Sequence, residues 1–419
     1  MFDVRRLLID VRRRAQTNVL RALRRSRVFP KTLVDRQGDD LRLATASVDA
    51  AVMLYFPGAP DTLYQVEPWL PTVDAVHAAH RAVIVCQDSR VADHLRSRCS
   101  TPVLTVARYG TLDGLLSRSD VGLALYVSHQ PRNFEALRFS SLLHAYIGHG
   151  DSDKGVSASN QLKAYDVFLA PGRAAVDRVA RRLMRFDADA HCIVVGQPVT
   201  LSAPHGEDPP AADRTTVLYA PTWEGAQPSV AYSSVLSHGE ALVEALLADP
   251  RYRVLYRPHP LTGVTSRSYA VADRAIRDRV AAAGAPHGTV LADEEPLEAS
   301  FARAHALVAD VSAVATAWLP SLRPVVVTAA KGEAVSADSG MLGAVPRLGV
   351  GEAATAPSVL AAALTDEGAR ADRAALVEYY LSPYWPERAE HRFVEVAGQL
   401  LAERQRLRAE LVAGGATGV

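Results

Sequence analysis

Between residues 48 and 201, and again from 215 to 371, short apolar runs alternate with stretches whose apolar residues recur every three or four positions. Strands separated by amphipathic helices do not pair as hairpins. Each returns to the same edge through a helix, which builds a parallel sheet covered on both faces. The first block predicts strands at Ala50–Phe56, Ala82–Cys86, Val103–Ala107, Val121–Val127, Leu142–Ile147, Val167–Ala170 and Cys192–Val195, with helices such as Val91–Arg98 and Ala174–Arg185 between them. The second predicts strands at Thr216–Ala220, Arg253–Tyr256, Thr289–Leu291, Ala306–Ala309 and Val325–Thr328. Helices are expected there at Gly239–Ala248, Tyr269–Ala283, Pro296–Ala304 and Ala313–Pro320. Ser202–Arg214 has Pro204, Pro209 and Pro210 and no apolar run, so it reads as the linker. Residues 372–412 read as C-terminal helices, broken at Ser382–Pro386, with a disordered tail after them. The expectation is an α/β protein made of two doubly wound, Rossmann-like domains, 48–201 and 215–371, facing a central cleft.

At neutral pH the 46 basic and 46 acidic residues balance, yet residues 1–31 hold ten Lys or Arg against Asp3 and Asp10. Val4, Leu7, Leu8, Val11, Ala15, Val19, Ala22 and Leu23 recur there at helical spacing, giving a basic amphipathic helix. Its readings are attachment to an anionic membrane surface, a partner's surface, or packing of the apolar stripe on its own domain. Nucleic acid is disfavoured, since no aromatic interleaving accompanies the arginines. No apolar run is long enough to span a membrane, and the N-terminus has no apolar core like that of a signal peptide. Cys86, Cys99 and Cys192 are odd in number and lack CxxC spacing, so they read as reduced thiols of a cytoplasmic protein.

Chemistry-bearing residues gather where predicted strands end. Leu143–Ile147 runs into Gly148-His149-Gly150 and then Asp151, Asp153 and Lys154. Glycine on both sides lets a substrate approach the backbone, which makes His149 the best candidate general base. Asp151 or Asp153 is expected to orient its ring, with Gly150, Asp151 and Lys154 on the acceptor side. After Val254–Tyr256 comes Arg257-Pro258-His259-Pro260, two prolines stiffening the backbone around a cation and an imidazole suited to phosphate oxygens. Thr222 ends another predicted strand and Asp310-Val-Ser312 a third, where Ser312 is placed to cap a helix whose free amides favour an anion. Trp223 reads as packing. His129 and Arg132 read first as a solvated loop, and His77 and His80 have no third ligand for a metal. Neither GxGxxG nor a P-loop occurs, so no cofactor is expected.

Two such halves around a cleft resemble the GT-B architecture. In order, His149-Gly150, Ala220-Pro-Thr-Trp223, Arg257-Pro-His-Pro260 and Asp310-Val-Ser312 resemble the CDP-glycerol glycerophosphotransferase family, which includes teichoic acid polymerases and primases. The resemblance implies transfer of glycerol phosphate, or a related polyol phosphate, from a CDP-polyol donor to a hydroxyl of a lipid-linked or polyol-phosphate acceptor, with release of CMP. It implies His149 and His259 as the catalytic histidines, with His259 binding or protonating the donor diphosphate. Thr222, Arg257, Asp310 and Ser312 would bind that diphosphate. The basic start would be a peripheral anchor on the inner face of the cell membrane. The chain departs from the family's Asp-Tyr-Ser-Ser pattern at Ala313, and Ala317 stands near the position of a further acidic residue. A GT-B nucleotide-sugar glycosyltransferase and a non-catalytic, membrane-associated nucleotide-binding protein are the alternatives.

Overall fold

The computed structural model describes residues 35–154, 158–197, 206, 211–225, 231–292, 295–329, 340–366 and 368–414. The basic segment 1–31, most of the expected linker and the tail from 415 lie outside the described residues.

The first sheet contains β1 (Val52–Phe56), β2 (Ala82–Cys86), β3 (Val103–Thr105), β4 (Leu123–Tyr126), β5 (Leu143–Tyr146), β6 (Val167–Ala170) and β7 (Cys192–Val194), in the order β3-β2-β1-β4-β5-β6-β7. The second contains β8 (Thr215–Ala220), β9 (Tyr252–Tyr256), β10 (Gly288–Val290), β11 (Ala306–Asp310), β12 (Val325–Thr328) and β13 (Arg347–Leu348), in the order β10-β9-β8-β11-β12-β13. Every pairing is parallel. All twelve expected strands form. Among the described residues only β13, two residues long, was not anticipated, because so short a run has no readable pattern.

Alternate residues of β1 enter different cores. Val52, Leu54 and Phe56 join one cluster, while Met53 and Tyr55 join the other. Burial on both faces is why these strands read as unbroken apolar runs. In each sheet the order reverses beside the founding strand, between β1 and β4 and between β8 and β11. At such a switch point adjacent crossovers leave in opposite directions, opening a crevice at the strands' carboxyl ends.

The chain then crosses back. Helix Ala389–Ala413 sends Phe393, Val396, Ala397 and Leu400 into the first domain's core. There the Phe393 ring lies 5.2 Å from that of Trp69. Helix Ala369–Leu381 also touches the first domain, Tyr379 donating to Asp177 at 2.9 Å. The three cysteines are unpaired. Among the described residues no helix is long and apolar enough to cross a membrane.

Candidate functional site

The first wall of the cleft is a turn that only glycine permits. After β5, Gly148 has φ 71° and Gly150 φ 136°, the left-handed region in which a Cβ is strained. His149 stands between them. Its Nδ1 is 2.9 Å from the carbonyl oxygen of Val127, just past β4. A carbonyl can only accept, so Nδ1 carries the proton and Nε2 keeps its lone pair. Burial lowers the His149 pKa and the Val127 hydrogen bond partly opposes it, leaving a neutral imidazole at pH 7. Tyr64 meets the ring edge-on at 6.0 Å, and Trp69 Nε1 donates to the Gly148 carbonyl at 2.7 Å. Both aromatic residues come from the segment after β1, which the sequence did not single out. His129 is not a solvated loop residue: its ring stacks on Tyr146 at 4.1 Å, and burial, then the charge His149 would carry, pushes its pKa down to about 4.

The second wall bears the opposite histidine. His259 Nδ1 accepts from the Leu261 N–H at 3.1 Å. The ring proton is therefore on Nε2, free to donate. Burial, then the nearby Lys154 charge, lowers its pKa to about 4, against the pull of Glu224. Trp223 stacks on it with centroids 6.2 Å apart. Glu224, also missed in the sequence, holds the loop after His259: it accepts from the N–H groups of Gly263, Thr265 and Ser266 at 2.9, 2.9 and 3.1 Å. Burial raises its pKa, but these donors outweigh burial and hold the carboxylate below its ordinary range. Ser312 takes the N-cap position of helix Ala313–Trp318 without making a capping bond. Its Oγ is buried and has no partner among the described residues.

Five expectations change. Asp310 is fully buried, and its oxygens accept from Thr222 N at 2.7 Å, from Ser234 N and from Thr328 Oγ1. Burial raises its pKa and these donors oppose the rise. With both oxygens taken, it braces the wall behind Thr222 and does not face a diphosphate. Arg257 gives Nη1 to Ser300 Oγ at 2.9 Å and Nη2 to the Glu295 carbonyl at 2.7 Å, so its fork is turned onto the segment 295–300. Asp151 does not orient His149; it forms a buried ion pair with Arg178, which also holds Asp153 at 2.9 Å. Lys154 is not on the acceptor wall: its Nζ crosses to Thr222 Oγ1 at 3.0 Å. Gly150 likewise faces across, since a Cβ there would sit 3.5 Å from Ala313 Cβ. His77 and His80 bond the carbonyls of Ala82 and Val394 at 2.7 and 3.0 Å, as packing residues do.

The cleft thus pairs an imidazole lone pair with a collection of donors: an imidazole N–H, an ammonium, and the hydroxyls of Thr222 and Ser312. That combination suits deprotonation of a nucleophile beside an anionic group.

Residues 202–383 match the family model described as CDP-glycerol:poly(glycerophosphate) glycerophosphotransferase. His149 and Gly150 precede the matched region. Among solved structures, one described as a UDP-N-acetylglucosamine 2-epimerase from Listeria monocytogenes superposes with a TM-score of 0.58 at 11% identity, covering 85% of this chain and 98% of its own. A glycosyltransferase from Rickettsia africae gives 0.56 at 10% identity, covering 84% and 99%. A histidine variant of the wall teichoic acid polymerase TagF, soaked with CDPG, gives 0.51 at 12% identity, covering 97% and 100%. At these identities the likeness is one of fold, the two-domain GT-B arrangement. No curated protein matches the chain.

Proposed function

We propose that this chain, whose residues 202–383 match the CDP-glycerol glycerophosphotransferase family model, transfers glycerol phosphate or a related polyol phosphate from a CDP-activated donor to an acceptor hydroxyl in teichoic-acid-like polymer synthesis. The observation that carries this reading is the opposed protonation of two histidines at strand ends of the two sheets: a lone pair on His149 and an N–H on His259.

In the proposed step the acceptor hydroxyl gives its proton to His149 Nε2 as its oxygen attacks the phosphorus that bears the polyol. The bond from that phosphorus to the bridging oxygen breaks, and its electron pair leaves on CMP. A phosphate monoester has a second pKa of about 6, so CMP departs as a stable anion without a proton from the enzyme. His259, neutral at pH 7, is therefore assigned to binding by its N–H and not to proton donation. Thr222 and Ser312 supply further donors, and Asp310, Arg257 and Glu224 hold those donors in place. Phosphoryl transfer depends chiefly on such positioning and charge stabilisation. The ten basic residues of 1–31 support a place on the anionic inner face of the membrane, beside a lipid-linked acceptor.

The test is nucleotide release from purified protein given CDP-glycerol or CDP-ribitol with a polyol-phosphate or lipid-linked acceptor. Acceptor-dependent CMP that disappears in His149→Ala supports the reading. Release of a nucleoside diphosphate from a UDP- or GDP-sugar would replace it with glycosyl transfer in the same cleft.

A further inference from the structure

We propose that Lys154, although it belongs to the first domain, binds the outer phosphate of the donor's diphosphate, the phosphate that is transferred; this rests on the reading above. Its Nζ lies 3.0 Å from Thr222 Oγ1 and 5.7 Å from the centre of the Tyr232 ring, both in the second domain. Among the described residues no carboxylate is paired with it. Asp310 is near enough to favour its charge, but both Asp310 oxygens already accept from Thr222, Ser234 and Thr328. A neutral hydroxyl and an aromatic face take little of an ammonium's hydrogen-bonding capacity. Burial opposes the charge and lowers the Lys154 pKa. A cation held in such a place is completed by an anion entering beside it.

The lysine is also held in place and does not roam the surface. Its neighbour Asp153 accepts from Arg178 Nη1 at 2.9 Å, from Tyr380 O–H at 2.5 Å and from Met341 N–H at 2.8 Å. These partners come from a first-domain helix, from the segment between β12 and β13 and from a helix after the second sheet, so the turn is fixed to both halves of the molecule. Preorganised charge of this kind loses little when an anion binds.

Which phosphate it meets follows from its place on the chain. Lys154 is five residues from His149 on the same turn. The acceptor oxygen that gives its proton to His149 attacks the outer phosphorus, so that phosphorus faces this turn. Ser312, on the opposite wall, is left for the nucleoside's own phosphate. A phosphate oxygen on Lys154 would share or replace the Thr222 contact.

Calorimetric titration of CDP and CMP into the full chain separates the possibilities, because only CDP carries the outer phosphate. Lys154→Met is expected to weaken CDP about 10–100-fold and to leave CMP within about twofold. Lys154→Gln, which can still donate to Thr222 but has lost the charge, is expected to behave like Lys154→Met, and Lys154→Arg to recover part of the loss. Equal weakening of both nucleotides, or none of either, would overturn the assignment. So would normal CDP affinity in Lys154→Gln beside a loss in Lys154→Met, which would make the lysine a latch. A wild-type chain that binds neither nucleotide overturns the functional reading itself, and this assignment with it.

Discussion

His149 follows β5 of the first sheet and His259 follows β9 of the second, and a single backbone contact makes them chemical opposites. On the first wall the Val127 carbonyl takes the proton of Nδ1, leaving Nε2 as an acceptor. On the second the Leu261 N–H fills Nδ1, leaving Nε2 as a donor. Both rings are neutral at pH 7 and both are mostly shielded from solvent. Residue type does not assign the base; the main-chain partner does.

The largest expected effect breaks this pair at the first wall. His149→Gln fills a similar volume but cannot accept a proton, so kcat should fall by about 10²–10⁴-fold, the usual worth of a general base. CDP affinity should stay near wild type. A variant that keeps its kcat would remove His149 from the chemistry.

The walls also differ in what stands behind them. The first is braced by the Asp151–Arg178 ion pair, the second by Asp310, a carboxylate fed by neutral donors. Asp310→Asn replaces an acceptor by an amide that opposes the N–H groups of Thr222 and Ser234. A loss of about 2–4 kcal/mol in urea unfolding is expected. A change confined to donor affinity, with stability intact, would return Asp310 to the ligand.

At the second wall the substitution that fails opposite it should succeed. His259→Ala is expected to weaken CDP binding about tenfold or somewhat more, for one lost hydrogen bond to a charged group. His259→Gln, whose amide N–H lies near the place of Nε2–H, should recover most of that. Rescue by glutamine at 259 and not at 149 separates donor from base. No rescue at either would mean the ring itself is needed at both.

Much of this was legible beforehand, for identifiable reasons. Val52–Phe56 or Val325–Val327 is an unbroken run of apolar and aromatic residues because both faces are buried, and that shows in the sequence. His149 between glycines and His259 between prolines announced themselves because backbone constraint is written in residue type. The partners were not legible. Val127, Leu261 and Arg178 act through a carbonyl, an N–H and a distant side chain, none of which the local pattern marks. Asp310 and Lys154 show the limit: both end up near Thr222, yet one is consumed by its own domain and the other has crossed from the opposite one.

The pH dependence sharpens the same contrast. His149 must be neutral to accept a proton, and burial lowers its pKa, so the acid limb of kcat/KM should lie below the ordinary value of 6.5. Stability should follow each ring whose pKa burial lowers, with the window set by His129 and His259. His129 and His259 fall from 6.5 to about 4 on folding, so between those values the unfolded chain binds protons that the native chain refuses. Stability is then full above 6.5, declines as pH falls through that window, and stops declining on their account below about 4. Urea unfolding across the range checks the sign. With His259→Gln the decline should be shallower.

The smallest expected effect is at Ser312, and it tests whether the second wall is built for a ligand or only for itself. A serine that capped its helix would lose about 1 kcal/mol on truncation. Ser312 makes no such bond, and its buried Oγ has no partner among the described residues. An unsatisfied buried hydroxyl contributes nothing favourable to the fold, so Ser312→Ala should leave unfolding free energy within about 0.5 kcal/mol of wild type, or raise it slightly. If the hydroxyl is kept for a donor phosphate, the same substitution should weaken CMP and CDP alike, by about 3–10-fold, the worth of one neutral hydrogen bond. Loss of stability with unchanged affinity would make Ser312 an ordinary cap and shrink the donor wall to Thr222 and His259. The expected pattern, affinity lost without stability, places the site's missing partner outside the protein.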